Sequence, residues 1–286
     1  MKIVEISSPR TSFGAALRLL RSRKKMVAVE ALPEVSFVVP SVILDADHLS
    51  QYCDICGFKE SKDVPFIYPQ ILTFGLMLEF MGSEYCPWPA AGMVHIVNRI
   101  EQHNPLFIGD DLRIELSTGD LFRHEKGQMF NIKFQVLRGG HLVWQATQST
   151  LCRVVKQPVG EQYRSVMHSE TRLSRQASFS VPANIGRRYG KVSGDVNPIH
   201  LTTLTAKAFG FKRAIAHGMW TKARALSALL PEGITERAMA EVEFKLPLYL
   251  PGTVSLWSNR SAQCAKFELR DRQGEKPHLR GQLRFS

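Results

Sequence analysis

The alternation of hydrophobic and polar residues predicts two buried helices, each followed by long antiparallel strands. Residues Ile71–Met81 (ILTFGLMLEFM) are apolar on nearly every side, which is typical of a helix enclosed by the rest of a protein. A second candidate helix is Ile215–Leu230 (IAHGMWTKARALSALL). After each helix, apolar residues recur at every second position, as in strands with one buried face.

Glycine-containing turns connect these strands into hairpins. The first hairpin joins Phe130–Leu137 to Leu142–Val154 through two glycines. The second joins Phe267–Arg272 to Leu279–Phe285 through the turn Gln273-Gly-Glu275. Both halves of the chain therefore predict an antiparallel meander after a buried helix.

The two halves are related as an internal repeat. Pro105–Leu116 resembles Pro247–Trp257 at an offset of about 142 residues (247 − 105), and a similar shift places Gly75 opposite Gly218. A buried helix and a meander, present twice, predict a sheet wrapped around a helix in each half. Two such units can pair through their edge strands and form one continuous sheet.

The repeat divides the chain into four segments. We expect a basic helical extension at 1–30, a first repeat at 31–155, a polar linker at 156–175 and a second repeat at 176–286. The extension could contact a membrane surface or an acidic partner, but docking on the protein's own body is the favoured interpretation. Its apolar face contains Phe13, Leu17 and Leu20.

Composition and charge narrow the functional classes. With 44% hydrophobic and 22% charged residues, the 286-residue chain is predicted to be globular rather than disordered. No apolar run reaches the roughly 18 residues that a membrane-spanning helix requires. The net charge of +11 (37 − 26) favours anionic partners, and nucleic acid, phosphate-bearing cofactors, acidic proteins and anionic lipid all fit. Because no nucleic-acid signature accompanies this charge, we do not expect nucleic-acid binding.

Five cysteines, an odd and sparse set, predict reduced thiols and a cytoplasmic protein. Cys53 and Cys56 have the C-x-x-C spacing, but no second pair follows at the spacing of a metal site. We interpret them as two small buried residues on a helix. The N-terminus lacks the long apolar core of a secretory signal.

Chemistry is concentrated in Tyr189–His200 (YGKVSGDVNPIH). Its Ser, Gly, Asn and Pro residues are turn formers and predict a loop. Such a loop can direct Asp195 and His200 at one point, and a carboxylate and an imidazole that share a water are suited to acid–base chemistry near neutral pH. The alternative is structural: Asp195 could cap a helix that starts near Leu201, with His200 beside it.

A second motif, Ala216–Met219 (AHGM), opens the buried helix of the second half. The first turn of a helix leaves backbone N–H groups unpaired, and a glycine lets a ligand approach them. Gly218 could therefore bind an anion or the carbonyl oxygen of a thioester. Alternatively, Gly218 only lets the helix pass close to a strand.

Together with Val242–Pro247 (VEFKLP), these motifs resemble the MaoC-like dehydratases, also called hydratase type two or (R)-specific enoyl-CoA hydratases. The three segments occur in the order found in that family, across about residues 180–257. The resemblance implies an α+β double hotdog: two tandem antiparallel sheets, each wrapped around a central helix.

The resemblance also implies roles for the residues of these motifs. The catalytic pair would bind the water and move the proton at the α-carbon of the substrate, while the glycine N–H would bind the thioester oxygen. No metal or redox cofactor is implied, because coenzyme A or phosphopantetheine enters as part of the substrate. The catalytic pair is Asp195 and His200, the thioester-binding residue is Gly218, and the supporting residues are Asn197, Ser193 and His217.

The first half does not repeat the acid–base loop. At the repeat offset, Asp195 corresponds to Tyr52 or Cys53, and His200 to Gly57 or Phe58. We therefore expect one working site per chain, built on the second half. The first half would resemble the degenerate repeat of such proteins, with room for an acyl chain.

These expectations combine into one function. The chain would be a hydro-lyase of fatty acid metabolism that interconverts (3R)-hydroxyacyl and trans-2-enoyl thioesters, carried on coenzyme A or on an acyl carrier protein. A homodimer is possible. The alternatives are a hotdog thioesterase and a subunit that binds acyl thioesters without turnover.

Overall fold

The computed structural model describes residues 2–7, 19, 24–59, 64–153, 155–165, 167–170, 172–231 and 235–286. The strands of the first half are β1 (Lys2–Glu5), β2 (Val35–Ile43), β3 (Met93–Gln102), β4 (Asp111–His124), β5 (Gly127–Arg138) and β6 (His141–Arg153). Those that follow are β7 (Glu161–Gln162), β8 (Ser174–Val181), β9 (Ala238–Phe244), β10 (Gly252–Arg260), β11 (Cys264–Asp271) and β12 (Pro277–Phe285).

The helices of the first half are α1 (Ala46–Cys56), α2 (Pro69–Leu72) and α3 (Phe74–Gly82). Those of the second half are α4 (Ile185–Ser193), α5 (Pro198–Leu201), α6 (Thr203–Ala208) and α7 (Gly218–Leu229). Among the described residues, none of these helices has the length and apolar character needed to cross a membrane.

The strands form one twelve-stranded sheet in the order β1-β2-β4-β5-β6-β3-β9-β12-β11-β10-β8, with β7 paired to β4. The order is symmetric about the β3–β9 pair, since β2-β4-β5-β6-β3 on one side matches β8-β10-β11-β12-β9 on the other. β3 and β9 are antiparallel, from Val97 opposite Glu243 to Gln102 opposite Ala238. The predicted α+β double hotdog, with two repeats joined through edge strands, is confirmed.

The central helices differ in detail from the predicted ranges. In the first half, the helix is interrupted at the buried Thr73, whose hydroxyl donates to the carbonyl oxygen of Gln70 (2.8 Å). In the second half, the helix begins at Gly218 rather than Ile215, because Ile215 pairs with Tyr249 in an isolated β-bridge. Both helices are otherwise where the pattern predicts them.

The prediction of a helical extension at 1–30 is wrong for its first residues. Lys2–Glu5 form β1, which pairs in parallel with β2. The β-branched Ile3 and Val4 favour an extended strand that covers the sheet edge. The predicted apolar helix face at Phe13, Leu17 and Leu20 lies outside the described residues.

The segment predicted as a linker, 156–175, contains short ordered elements. It includes β7, which adds to β4, and the first two residues of β8. Cys53 and Cys56 lie on α1 as unpaired, buried thiols, in agreement with the structural interpretation of the C-x-x-C spacing.

Contacts between α1 and α4 join the two halves on the helical side of the sheet. The His48 ring is within hydrogen-bond distance of the Tyr68 hydroxyl (2.7 Å) and of the Val192 carbonyl oxygen (2.8 Å). The rings of Tyr52 and Tyr189 lie 6.5 Å apart. The buried apolar residues of both halves form one continuous core.

Two glycines of α4 bring this helix against the segment that follows it. A Cβ atom on Gly186 would lie 1.9 Å from the carbonyl oxygen of His200, and one on Gly190 would lie 2.8 Å from that of Asp195. Real Cβ atoms do not approach backbone oxygens so closely, so any larger residue would displace the 195–200 segment. The position of that segment therefore depends on glycine at both sites.

We predict that Gly186→Ala lowers the free energy of unfolding by about 1–3 kcal/mol, because overpacking against backbone exceeds the gain in helix propensity. Gly82→Ala on α3 is the matched control, since among the described residues its Cβ would meet a Leu19 methyl group at the ordinary contact distance of 3.4 Å. Urea unfolding of both variants is the measurement. Equal stability of Gly186→Ala and the wild type would contradict the prediction.

Candidate active site

The Asp195–His200 loop is held by its own polar side chains. Ser193 accepts a hydrogen bond from the Asp195 N–H (3.2 Å), and the Asp195 carboxylate accepts one from the Asn197 N–H (3.2 Å). Asn197 caps α5 by accepting from the Ile199 N–H (3.3 Å). The cap of α5 is thus Asn197 and not Asp195, so the capping alternative does not describe Asp195.

His200 is buried, 8% exposed, and its ring orientation is fixed by the backbone. Its Nδ1 lies 2.8 Å from the Ile215 carbonyl oxygen, which can only accept, so Nδ1 carries the proton. Burial lowers the pKa of His200 to about 3, and Asp195 opposes this shift. Near neutral pH the imidazole is uncharged, with the lone pair of Nε2 available to accept a proton.

His217 joins the start of α7 to the same loop. Its Nε2–H donates to the Asp195 carbonyl oxygen (2.8 Å), and a carboxylate oxygen of Asp195 lies 3.8 Å away. The His217 ring stacks on His200 with centroids 3.7 Å apart. Burial lowers the pKa of His217, and its buried Nδ1 has no hydrogen-bond partner. These contacts are those of a residue that supports the loop.

The structure brings Asp195, His200 and His217 together. A carboxylate oxygen or ring nitrogen of each lies within 4.8 Å of the others. Two such atoms can contact one water molecule, because each hydrogen bond spans about 2.7–3.0 Å. The Asp195 side chain is 29% exposed, so solvent can reach the group from the carboxylate side.

Two imidazoles and a carboxylate are also a ligand set for transition metals. One nitrogen of each ring already donates to a backbone carbonyl, which leaves one lone pair on each of two stacked rings. A metal-free site remains our prediction, and treatment with a chelator tests it.

Gly218 is the first residue of α7. The Thr221 N–H donates to the His217 carbonyl oxygen (3.1 Å) in the first turn of the helix, and the Gly218 N–H precedes this bond, so the helix offers it no acceptor. A Cβ atom on Gly218 would lie 2.9 Å from the Phe244 ring. The glycine is therefore required for packing against β9.

Sequence reasoning missed His95, which comes from β3 in the first half. His95 is partly exposed, and its ring lies 5.0 Å from that of Phe244. Burial lowers its pKa to about 3, with Lys222 lowering it further and Asp195 raising it. No local signal could have identified His95, because Phe244, whose ring it contacts, lies more than 100 positions later in the sequence. Gly186 and Gly190 could have been identified from their i, i+4 spacing.

In the first half, the position equivalent to Asp195 is not the one predicted from the repeat offset. α1 ends at Gly57 (φ 74°) as α4 ends at Gly194 (φ 75°), which gives a local offset of 137 (194 − 57). The counterpart of Asp195 is then Phe58, not Tyr52 or Cys53. The Phe58 ring stacks on Tyr52 with centroids 6.1 Å apart, so an apolar side chain replaces the carboxylate.

Part of the positive charge surrounds a separate cavity of about 780 Å³, whose lining includes none of the loop residues. It lies where β4 and β6 end and β5 begins, beside the segment that follows β6. Its potential favours anions. The basic residues that line it are Arg123, Lys126, Arg153 and Lys156, with His124 and Glu125 beside them.

The chain is similar to known proteins both in sequence and in structure. A curated relative named 3-hydroxyacyl-thioester dehydratase X, from Mycobacterium tuberculosis, is 28% identical over 257 residues, which cover 89% of this chain and 91% of the relative. The crystal structure of HtdX from the same organism has a TM-score of 0.75 at 26% identity, covering 88% of this chain and 100% of that one.

More distant structures share the fold alone. A MaoC-like dehydratase from Phytophthora capsici has a TM-score of 0.72 at 18% identity, covering 89% of this chain and 96% of that one. An acyl-ACP thioesterase from Bacteroides thetaiotaomicron has a TM-score of 0.54 at 10% identity, covering 88% and 98%. The fold therefore does not by itself separate dehydratases from thioesterases.

The family profile described as "MaoC like domain" matches residues 157–279, which contain the whole Asp195–His200 loop and the start of α7. The same region provides Ser193, Asn197, His217 and Gly218. Residues 157–279 therefore match the MaoC-like domain, and the chain shares the double-hotdog fold with the MaoC-like dehydratases.

Proposed function

We propose that the protein is a hydro-lyase that interconverts (3R)-hydroxyacyl thioesters and trans-2-enoyl thioesters. The observation that carries the proposal is the convergence of Asp195 and His200, whose polar atoms lie within 4.8 Å of each other. The name of the Mycobacterium tuberculosis relative, a 3-hydroxyacyl-thioester dehydratase, supports the reaction class.

In the hydration direction, Asp195 and His200 hold one water molecule beside C3 of the enoyl group. The pair takes a proton from the water as its oxygen bonds to C3, and the C2–C3 double bond is lost. Negative charge develops on the thioester oxygen, where the Gly218 N–H stabilises it. The pair then delivers a proton to C2, and dehydration is the reverse sequence.

The pattern of protonation suits these roles. His200 is neutral and has a free lone pair on Nε2, because Nδ1 donates to Ile215. His217 donates to the backbone of Asp195 and keeps the carboxylate near the ring of His200. Ser193 and Asn197 fix the loop between them.

For the substrate, we propose an acyl group on coenzyme A or on an acyl carrier protein, both of which suit the net charge of +11. The apolar Phe58 in place of an acid supports the proposal of one site per chain, with the first half adjoining the acyl chain. A cytoplasmic location and a homodimer complete the proposal.

A hotdog thioesterase is the second candidate, because the fold is shared with an acyl-ACP thioesterase. In that reaction water attacks the thioester carbonyl and releases a thiol. A subunit that only binds acyl thioesters is the third. The Asp195–His200 pair favours the hydro-lyase over both.

We predict that the purified protein hydrates crotonyl-CoA, with loss of enoyl absorbance and no release of free thiol. Prior treatment with EDTA should leave the rate unchanged, because the proposed steps use only side chains and the backbone. Thiol release at the rate of enoyl loss would instead identify a thioesterase. A rate that falls on chelation and returns with added metal would contradict the metal-free site.

We predict that Asp195→Asn and His200→Gln each lower kcat by about 10²–10⁴, the contribution of positioned acid–base groups. Crotonyl-CoA binding, measured by calorimetry, should change little because both replacements preserve side-chain volume. His141→Gln, at an exposed position in the β5–β6 hairpin, is the matched control and should keep the full rate. Wild-type rates in both site variants would refute the assignment of roles.

We predict that kcat/KM does not fall as the pH decreases through 6.5, the ordinary pKa of histidine. Burial lowers the pKa of His200 to about 3, so its neutral form persists across pH 5.5–8. The pH dependence of kcat/KM reports groups of the free enzyme. An inflection near 6.5 that disappears in His200→Gln would show that His200 titrates normally.

A further inference from the structure

A lysine that the proposed mechanism does not use is buried behind the start of α7. Lys222 is 0% exposed and lies four residues after Gly218, on the same face of the helix. Its Nζ lies 3.1 Å from the Asn98 carbonyl oxygen, 2.6 Å from Asn98 Oδ1 and 3.0 Å from the Ala240 carbonyl oxygen. Asn98 is on β3 and Ala240 is on β9, so the lysine lies at the junction of the two halves.

The orientation of the Asn98 amide is fixed by a chain of hydrogen bonds in the first half. Asn98 Nδ2 donates to Gln70 Oε1 (3.0 Å), and Gln70 Nε2 donates to the Thr73 hydroxyl (3.0 Å). The Thr73 hydroxyl donates in turn to the Gln70 carbonyl oxygen (2.8 Å). Because the Thr73 hydroxyl donates to a carbonyl, it accepts from Gln70 Nε2, and Gln70 Oε1 is then the acceptor for Asn98 Nδ2. The oxygen of the Asn98 amide therefore faces Lys222.

The number of acceptors indicates which form of Lys222 is present. Two backbone carbonyls and an amide oxygen can only accept hydrogen bonds, and three such atoms surround one nitrogen. A neutral amine has two N–H groups and a lone pair, so one of the three oxygens would face that lone pair. An ammonium group has three N–H donors and satisfies all three. Burial favours loss of the proton and lowers the pKa of Lys222, while the carboxylate of Glu241 opposes this shift. The three acceptors around Nζ favour the ammonium form.

We propose that Lys222 is a permanently charged positioning residue, whose ammonium group stabilises the negative charge that develops on the thioester oxygen at the start of α7. This inference rests on the proposed function. The three oxygens that contact Nζ are uncharged, and the carboxylate that acts on the lysine, that of Glu241 on β9, is not among these direct partners. Inside a protein, such a field is screened far less than in water.

His95 lies near both charged groups, since Lys222 lowers its pKa and Asp195 raises it, beside the larger effect of burial. His95 also contacts Phe244, which packs on Gly218. The partly exposed His95 and Phe244 therefore connect the cation to the proposed oxygen site, and the first half contributes by holding the cation through Asn98.

The first experiment tests the charge without any substrate. In wild-type protein labelled with ¹⁵N-lysine, NMR should show an ammonium signal with three attached protons, protected from solvent exchange up to about pH 9. The absence of this ammonium signal from the spectrum of Lys222→Met would assign the signal to Lys222. Should that variant not fold, ¹⁵N–¹³C labelling of Lys-Ala pairs limits the assignment to Lys207 and Lys222, and the exposed Lys207 would not be protected from solvent exchange. A neutral amine at pH 7 would overturn the inference, whatever the enzyme catalyses.

The second experiment tests the effect on developing charge. Acetoacetyl-CoA forms an enolate with a distinct absorbance, and its acidity when bound reports stabilisation of negative charge on the thioester side. In Lys222→Met, we expect about tenfold weaker acidity of the bound ligand and about tenfold lower kcat, the effect of one charge acting across a protein interior. The KM for crotonyl-CoA should stay within about twofold.

Asn98→Asp separates an electrostatic role from a structural one. It keeps an acceptor for the ammonium group and nearly the same volume, and it adds a negative charge that cancels the field. It also removes the Nδ2 donor to Gln70 Oε1, so urea unfolding must first show that the variant is folded. We expect a loss of kcat and of ligand acidity similar to that of Lys222→Met. Lys276→Met, in the exposed β11–β12 turn, should behave as wild type. If Asn98→Asp keeps wild-type kcat and enolate absorbance while the wild type hydrates crotonyl-CoA, this inference fails and the proposed function stands.

Discussion

The antiparallel pairing of β3 with β9 determines how the rest of the molecule is arranged. Each repeat ends in a strand whose N–H and C=O groups would face solvent if the repeat stood alone. Pairing from Val97–Glu243 to Gln102–Ala238 satisfies these groups and makes one sheet from two. It also places both central helices on a shared surface, so that side chains from one half lie within reach of the other.

The second level of organisation is a loop held by its own polar side chains and by two histidine rings that donate to backbone oxygens. The His200 ring donates to the carbonyl of Ile215, and the His217 ring donates to that of Asp195. Each bond defines which nitrogen carries the proton, so two stacked neutral rings can coexist in a buried place. The glycines of α4 allow this loop to lie directly on the helix. The hydrogen bonds to these two carbonyl oxygens thus fix both the orientation of the two rings and the nitrogen that carries the proton in each.

The sequence was informative where the signal was local. The periodicities predicted the hairpins and both central helices. The turn formers predicted a loop over 189–200, but only 194–197 lie outside a helix, because α4 extends to Ser193 and α5 begins at Pro198. The helix interruption at Thr73 could not be predicted, because it depends on a buried side-chain bond to Gln70. The strand at Lys2–Glu5 is stabilised by a partner more than 30 residues away, which no local propensity reveals.

The same reasoning explains what was missed at the candidate site. His95 and Asn98 enter it only because β3 pairs with β9, and a repeat alignment shows equivalence rather than contact. The alignment also used one offset throughout, whereas the glycines that end α1 and α4 differ by 137 positions and the later strands by about 142. An insertion within one repeat changes the offset for the residues beyond it. The left-handed backbone conformation shared by Gly57 and Gly194 identifies the correct equivalent positions.

Covalent linkage of the two repeats has an evolutionary consequence. In an assembly of identical subunits, every substitution appears at all symmetry-related positions, so a change that helps one copy is imposed on the others. Here a phenylalanine can occupy Phe58 while Asp195 remains at the equivalent turn of the other repeat. A tandem gene product can therefore specialise each copy separately and keep a single architecture.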